Sequence, residues 1–160
     1  MTSNLPIAPL WRRIAAMFYD TFLLIGVLSL ATFLFHWLSL KMTGDTLVIS
    51  HNSGEVVTDL PTTTSGPIYQ FYLFFIIGLF FTYFWQKLGQ TLGMQAWRLR
   101  VCQPDGSNIT YQQALVRYLV AWPAFICLGL GYLWSLFHPQ GSSWQDLTSK
   151  TQVVVMPKRK

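Results

Sequence analysis

Residues 10–40 read LWRRIAAMFYDTFLLIGVLSLATFLFHWLSL, and this stretch decides the fold. From Thr21 to Leu40 there are twenty residues without a formal charge. As an α-helix rising about 1.5 Å per residue, such a run covers about 30 Å, the thickness of a bilayer core. A membrane span is therefore expected. Ahead of it stand Arg12 and Arg13, then the apolar positions Ile14, Ala15, Ala16, Met17, Phe18 and Tyr19, then Asp20. That order puts Asp20 inside the membrane or at its edge, where an ionised carboxylate needs a partner, water or a proton. Arg13 and Asp20 are seven residues apart, so they share a helix face but lie roughly 10 Å apart along the axis. That separation is too great for a direct salt bridge, and each is expected to find its partner on another segment.

The rest of the chain supports the same class. Over 160 residues the composition is 52% hydrophobic, 16% aromatic and 11% charged, which is not the surface of a small soluble domain. The net charge of +5 raises nucleic acid as a partner, but the basic residues border apolar runs and form no continuous basic helix, so flanks of membrane segments are the reading adopted. The first apolar run is longer than a signal-peptide core and no small-x-small cleavage pattern follows it, so it is expected to be retained. Cys102 lies in a polar connection and Cys127 in an apolar run; no disulfide is expected, and the two thiols have no metal-site spacing.

Beyond Lys41 the chain is polar to Gly66 and carries Asp45, Glu55 and Asp59 against that one lysine. Within it, Leu47, Val48 and Ile49, then Val56 and Val57, flank His51-Asn52-Ser53-Gly54, the pattern of a short hairpin. Pro67 suits a first helical turn, and Ile68 to Gln86 is a second uncharged, Phe-rich run bounded by Tyr and Trp. The following connection holds Lys87, Arg98, Arg100 and Arg117 against Asp105. By the positive-inside rule the N-terminus and this connection are cytoplasmic and the acidic loop is external. Trp97, Leu99 and Val101 alternate with Arg98, Arg100 and Cys102 as in a half-buried strand, and Pro104-Asp105-Gly106 predicts the turn of a hairpin. Thr110 and Gln113 have the spacing of a capping box, so a helix is expected to start there. The third apolar region, Tyr118 to Phe137, is interrupted by Pro123 and loosened by Gly129 and Gly131. A straight crossing would leave the C-terminus outside, whereas the basic tail and a strand-like Val153-Val154-Val155, suited to pair with the strand at 98–103, argue for the inside. A broken or re-entrant segment that returns to the cytoplasmic face reconciles them and is preferred.

The expected fold is thus an all-α polytopic membrane protein: two transmembrane helices at about 14–40 and 68–86, a third Pro-broken segment at about 113–137, and a small cytoplasmic β-hairpin. One domain covers 1–160, with an acidic external loop at 41–67, a cytoplasmic connection at 87–112 and a basic cytoplasmic tail at 138–160.

Four blocks, RRIAAMFYD, GQTLGMQAWRLRV, ALVRYLVAW and WQDLTSKTQVVV, occur in this order, and together they resemble the RDD family of bacterial membrane proteins. The family is named for an arginine and two aspartates, which by motif position are Arg13, Asp20 and Asp146. The resemblance implies the bacterial inner membrane as the location. It also implies sodium/proton exchange, to which some members are linked, as one activity to weigh. Where the family carries a lysine or arginine after the second glycine of its G-x-T-x-G block, this chain has Met94.

The candidate ion-pair or transport residues are Arg13, Asp20, Arg117 and Asp146. Asp20 reads either as a protonatable or cation-binding carboxylate or as half of a structural ion pair, with Arg117 as its partner. Arg13 reads as that kind of partner or as a snorkelling arginine. Ser143 and Asp146 have capping-box spacing, so Asp146 either caps a helix or meets Arg13 or Arg117 at the cytoplasmic mouth. Arg117 reads first as an anchor. Gly89-Gln90-Thr91-Leu92-Gly93 lacks the Lys-Ser/Thr ending of a phosphate loop and reads as a turn. His36, His51 and His138 share no ligand spacing, and no metal or cofactor motif and no nucleophile–base pair is present, so an enzyme is not expected. Two functions stand open: a small transporter of a proton or monovalent cation, homo-oligomeric because three apolar regions make a thin wall, and a membrane adaptor that binds a protein partner through its cytoplasmic face.

Overall fold

A computed structural model describes residues 5–43, 49–52, 55–58, 66–127 and 129–157. The elements in chain order are α1 (Leu10–Thr43), β1 (Ile49–Asn52), β2 (Glu55–Thr58), α2 (Pro67–Leu88), α3 (Leu92–Ala96), β3 (Leu99–Cys102), α4 (Tyr111–Ile126), α5 (Leu130–Phe137), α6 (Trp144–Ser149) and β4 (Gln152–Val155). Two of the helices, α1 and α2, are long and apolar enough to cross a membrane. The chain divides into two compact units, one of residues 24–77 and the other of the remaining described residues, and each of these two helices contributes to both.

In the first unit α1 and α2 meet through aromatic and hydroxyl side chains. Phe35 lies 5.2 Å, centroid to centroid, from both Tyr69 and Tyr72. Thr32 and Tyr69 share a hydroxyl hydrogen bond of 2.8 Å, and the Tyr72 hydroxyl donates to the Ala31 carbonyl at 3.1 Å. In hydrocarbon every such hydroxyl needs an internal partner, and these have one. β1 and β2 pair antiparallel from Ile49 with Thr58 to Asn52 with Glu55, at the place expected for a short hairpin.

The second unit is built on a small sheet. β3 pairs antiparallel with β4, from Leu99 opposite Val155 to Cys102 opposite Gln152. The lead-in to α1 joins the other edge of β4: the Val155 N–H donates to the Pro6 carbonyl at 2.9 Å and the Ala8 N–H to the Val153 carbonyl at 2.8 Å. Residues 6–8, β4 and β3 are therefore hydrogen-bonded side by side. Their inward side chains, with Ala16, Met94, Ile109 and Ala114, make the core. Leu99 and Val101 are fully buried, which is why a two-residue period was visible in the sequence around them.

Two expectations are corrected here. The hairpin across Pro104-Asp105-Gly106 does not form. The turn is present, with Gly106 at φ 85°, the Gly106 N–H donating to the Gln103 carbonyl at 2.8 Å and the Gln103 N–H donating to the Ser107 carbonyl at 3.0 Å. Past Ser107, however, the chain buries Ile109 and starts α4 at Tyr111 instead of running back along β3. β3 takes the distant β4 as its partner. The second correction concerns the third apolar region. α4 begins at the expected capping box, the Thr110 N–H donating to Gln113 Oε1 at 2.9 Å and the Gln113 N–H to Thr110 Oγ1 at 3.3 Å. It then runs through Pro123 to Ile126. The break comes later, at Gly129, whose φ of 77° is open to glycine at little cost, and α5 departs at 95° to α4. Gly131 then lies against α4, where a Cβ would collide with the Ala124 methyl and stand 3.1 Å from Trp144.

Candidate functional site

All four residues singled out in the sequence lie in the second unit, and all are buried: Arg13 and Asp20 on α1, Arg117 on α4 and Asp146 on α6. They form two clusters instead of one.

The first cluster centres on Asp146. Ser143 is the N-cap of α6 and Asp146 is its third residue, so the Ser143 N–H donates to Asp146 Oδ2 at 3.0 Å, completing a capping box. The same oxygen accepts from Arg13 Nη1 at 2.5 Å, and Oδ1 accepts from Arg117 Nη1 at 2.5 Å. The two readings of Asp146 are thus realised together on different lone pairs of one carboxylate. Arg13 also donates from Nη1 to Ser143 Oγ at 3.4 Å, from Nε to the Ala8 carbonyl at 3.1 Å and from Nη2 to the Gly141 carbonyl at 3.2 Å. Arg117 Nη1 also donates to Thr151 Oγ1 at 2.8 Å, and its guanidinium sits 5.4 Å over the Trp85 ring. Burial pushes the Asp146 carboxyl up, but Arg117, Arg13 and the Ser143 hydrogen bonds outweigh it and hold the pKa at about 2. One carboxylate thereby ties α1, α4 and α6 together.

The second cluster centres on Asp20, and among the described residues it contains no arginine. The proposed pairing of Asp20 with Arg117 is overturned, because both buried guanidiniums bind Asp146. Asp20 Oδ2 accepts from the Thr91 hydroxyl at 2.5 Å and Oδ1 accepts from the Gly93 N–H at 2.8 Å. Thr91 is also the N-cap of α3 and accepts from the Met94 N–H at 3.2 Å. Gly93 packs so closely on α1 that a Cβ would run into the Ala16 carbonyl oxygen and stand 2.8 Å from the Asp20 carboxylate. Thr91 and Gly93 are functional candidates that sequence reasoning missed. Their signal was the Gly89–Gly93 block set aside as a turn: its threonine and second glycine are the two donors. Met94, in the place of the family's cation, is a buried core residue.

A family model described as RDD family matches residues 7–150. The chain belongs to the RDD family. The match includes every residue of both clusters except Thr151, so this RDD domain contains Arg13, Asp20, Thr91, Gly93, Arg117, Ser143 and Asp146 together. No curated protein and no solved structure matches the chain.

Proposed function

We propose that this RDD protein is a multi-pass protein of the bacterial inner membrane that carries a proton or a monovalent cation on Asp20. One observation supports the reading above the others. Asp20 is 5% exposed on a helix of bilayer length, and its bonded partners among the described residues are a hydroxyl and an amide, with no cation. An ionised carboxylate in that setting needs a counter-charge, and a proton or a small cation supplies it. Asp146 is the contrast, fully paired and committed to holding helices.

Topology fits this reading. The lead-in at 6–8, β3 and β4 hydrogen-bond side by side, so they share one side of the membrane. If α1 and α2 each cross once, α4 and α5 together cross an even number of times, which favours a re-entrant third segment with both ends of the chain cytoplasmic. The basic flanks support the cytoplasmic side. A single copy with two spans and a re-entrant segment encloses little, so the carrier is a homo-oligomer in this reading and works without enzymatic chemistry. In inverted or right-side-out vesicles, Asp20→Asn is expected to reduce cation-dependent proton flux to background, and undiminished flux would remove Asp20 from the mechanism.

A second reading has its own observation. Arg100 lies in β3, Arg98 directly precedes that strand and Lys150 lies two residues before β4, and this basic cluster around the sheet supports an adaptor that binds a protein partner on the cytoplasmic side. Purification in mild detergent separates the two. Self-association alone supports the carrier, whereas an unrelated protein at constant stoichiometry supports the adaptor.

A further inference from the structure

We propose that the contact of Asp20 with Thr91 and Gly93 is a protonation-sensitive latch holding α3 on α1, with Thr91 as its positioning residue. The inference rests on the reading above that Asp20 takes up a proton, and it adds what that proton does to the fold.

The polar contact between α3 and α1 runs through one carboxylate. Gly93 offers no side chain, and the described hydrogen bonds across the contact are the two that Asp20 accepts. The Gly93 N–H can only donate, and the Thr91 hydroxyl donates to the other oxygen when the acid is ionised. Charge-assisted bonds of this kind are about twice as strong as neutral ones. When a proton lands on the carboxyl group the charge goes, and both bonds weaken. If the proton takes the Oδ2 position facing Thr91, the threonine oxygen must accept instead of donate. Its other lone pair already holds the Met94 N–H, and Asp20 is the only acceptor bonded to the Thr91 hydroxyl among the described residues. The hydroxyl hydrogen is then stranded in a buried place, which carries the cost of an unmade hydrogen bond. Thr91 is 1% exposed, so water does not reach it while α3 is docked.

Other charges leave the latch to Asp20. α3 has no titratable residue among Leu92–Ala96. On α1 the nearest charge along the same stripe is Arg13, two turns away, and Arg13 and Arg117 are held by Asp146. What the latch would move is also defined: α3 leads through Trp97 and Arg98 into β3, the strand that joins the cytoplasmic sheet. Protonation of a membrane carboxylate would thereby loosen the segment that leads into β3.

The test is hydrogen exchange on the full chain in lipid nanodiscs, with protection of the amides at 92–96 expressed relative to intrinsic exchange at pH 8 and pH 5. For the unmodified protein, protection there is expected to fall about tenfold at the acidic end, the size of losing one hydrogen bond to a charged acceptor, while the amides of α4 stay protected. Asp20→Asn is expected to be weakly protected at both pH values. Thr91→Val should lose the step, and Thr91→Ser, which keeps the hydroxyl, should restore it. Equal protection at both pH values, or a full step in Thr91→Val, overturns the latch. Loss of flux in Asp20→Asn without a pH step overturns the latch and leaves the carrier standing. A pH step with undiminished flux does the reverse.

Discussion

Asp146→Asn is expected to unfold this protein in mild detergent at temperatures where the unmodified chain is intact. The substitution keeps size and shape but removes the one negative charge set between two buried guanidiniums, each at 2.5 Å. Removing one partner from a buried ion pair costs about 3–5 kcal/mol, because the remaining charge is left without compensation in a low dielectric, and here two charges are left. Thermal midpoint and the yield of monodisperse protein are the readouts. The effect should be strongly non-additive: Arg13→Met added to Asp146→Asn should cost less than the sum of the two single changes, since it removes one of the stranded charges. The pH dependence has a definite sign. The folded-state pKa of Asp146 is depressed, so its stabilisation is complete above the ordinary carboxylate value of 3.8 and is lost as pH falls from there through about 2. No acid loss from this group is expected between neutral pH and about 4, and a midpoint that declines over that range through Asp146 would mean that the arginines do not hold it.

The spans were legible in the sequence because a bilayer imposes a length and a composition that few other environments demand. The capping box at Thr110 and Gln113, the alternation around Leu99 and Val101 and the valines of β4 were legible for a similar reason, each being a local pattern with a local cause. What local pattern leaves open is the choice among partners. The turn at Pro104-Asp105-Gly106 suggested a hairpin, which does not form, and the valine run at 153–155 suggested a pairing with the strand at 98–103, which does. The same limit explains the site. Helix geometry excludes a bond between Arg13 and Asp20, yet nothing in the sequence distinguishes Arg117 from Thr91 as the group that meets Asp20. Charge pairs are the first guess, and here the second acid had taken both arginines. Pro123 misled for a different reason. A proline removes one N–H from a helix but need not end it, whereas Gly129 supplies the backbone freedom that a sharp change of direction requires.

Gly93→Ala is expected to do to the Asp20 cluster what Asp146→Asn does to its neighbour. A methyl group at this position meets the Ala16 carbonyl oxygen on one side and lies 2.8 Å from Asp20 Cγ and Oδ1 on the other. The first obstacle is backbone of a continuous helix and cannot turn aside as a flexible side chain would. Either α3 lifts, breaking the bond from the Gly93 N–H to Asp20, or α1 distorts at the turn that carries the acid. Overpacking of this kind costs about 1–3 kcal/mol, and the lost hydrogen bond to a charged acceptor adds to it. Two neighbouring variants make the result interpretable. Leu92→Ala changes a side chain that is 45% exposed on the same short helix and should shift the midpoint little. Gly26→Ala places its methyl where nothing lies within 4 Å and should be neutral or stabilising, since alanine is the better helix former. A Gly93→Ala protein as stable as Gly26→Ala would mean that α3 does not rest on α1, and that the carboxylate of Asp20 is held by something other than Thr91 and Gly93.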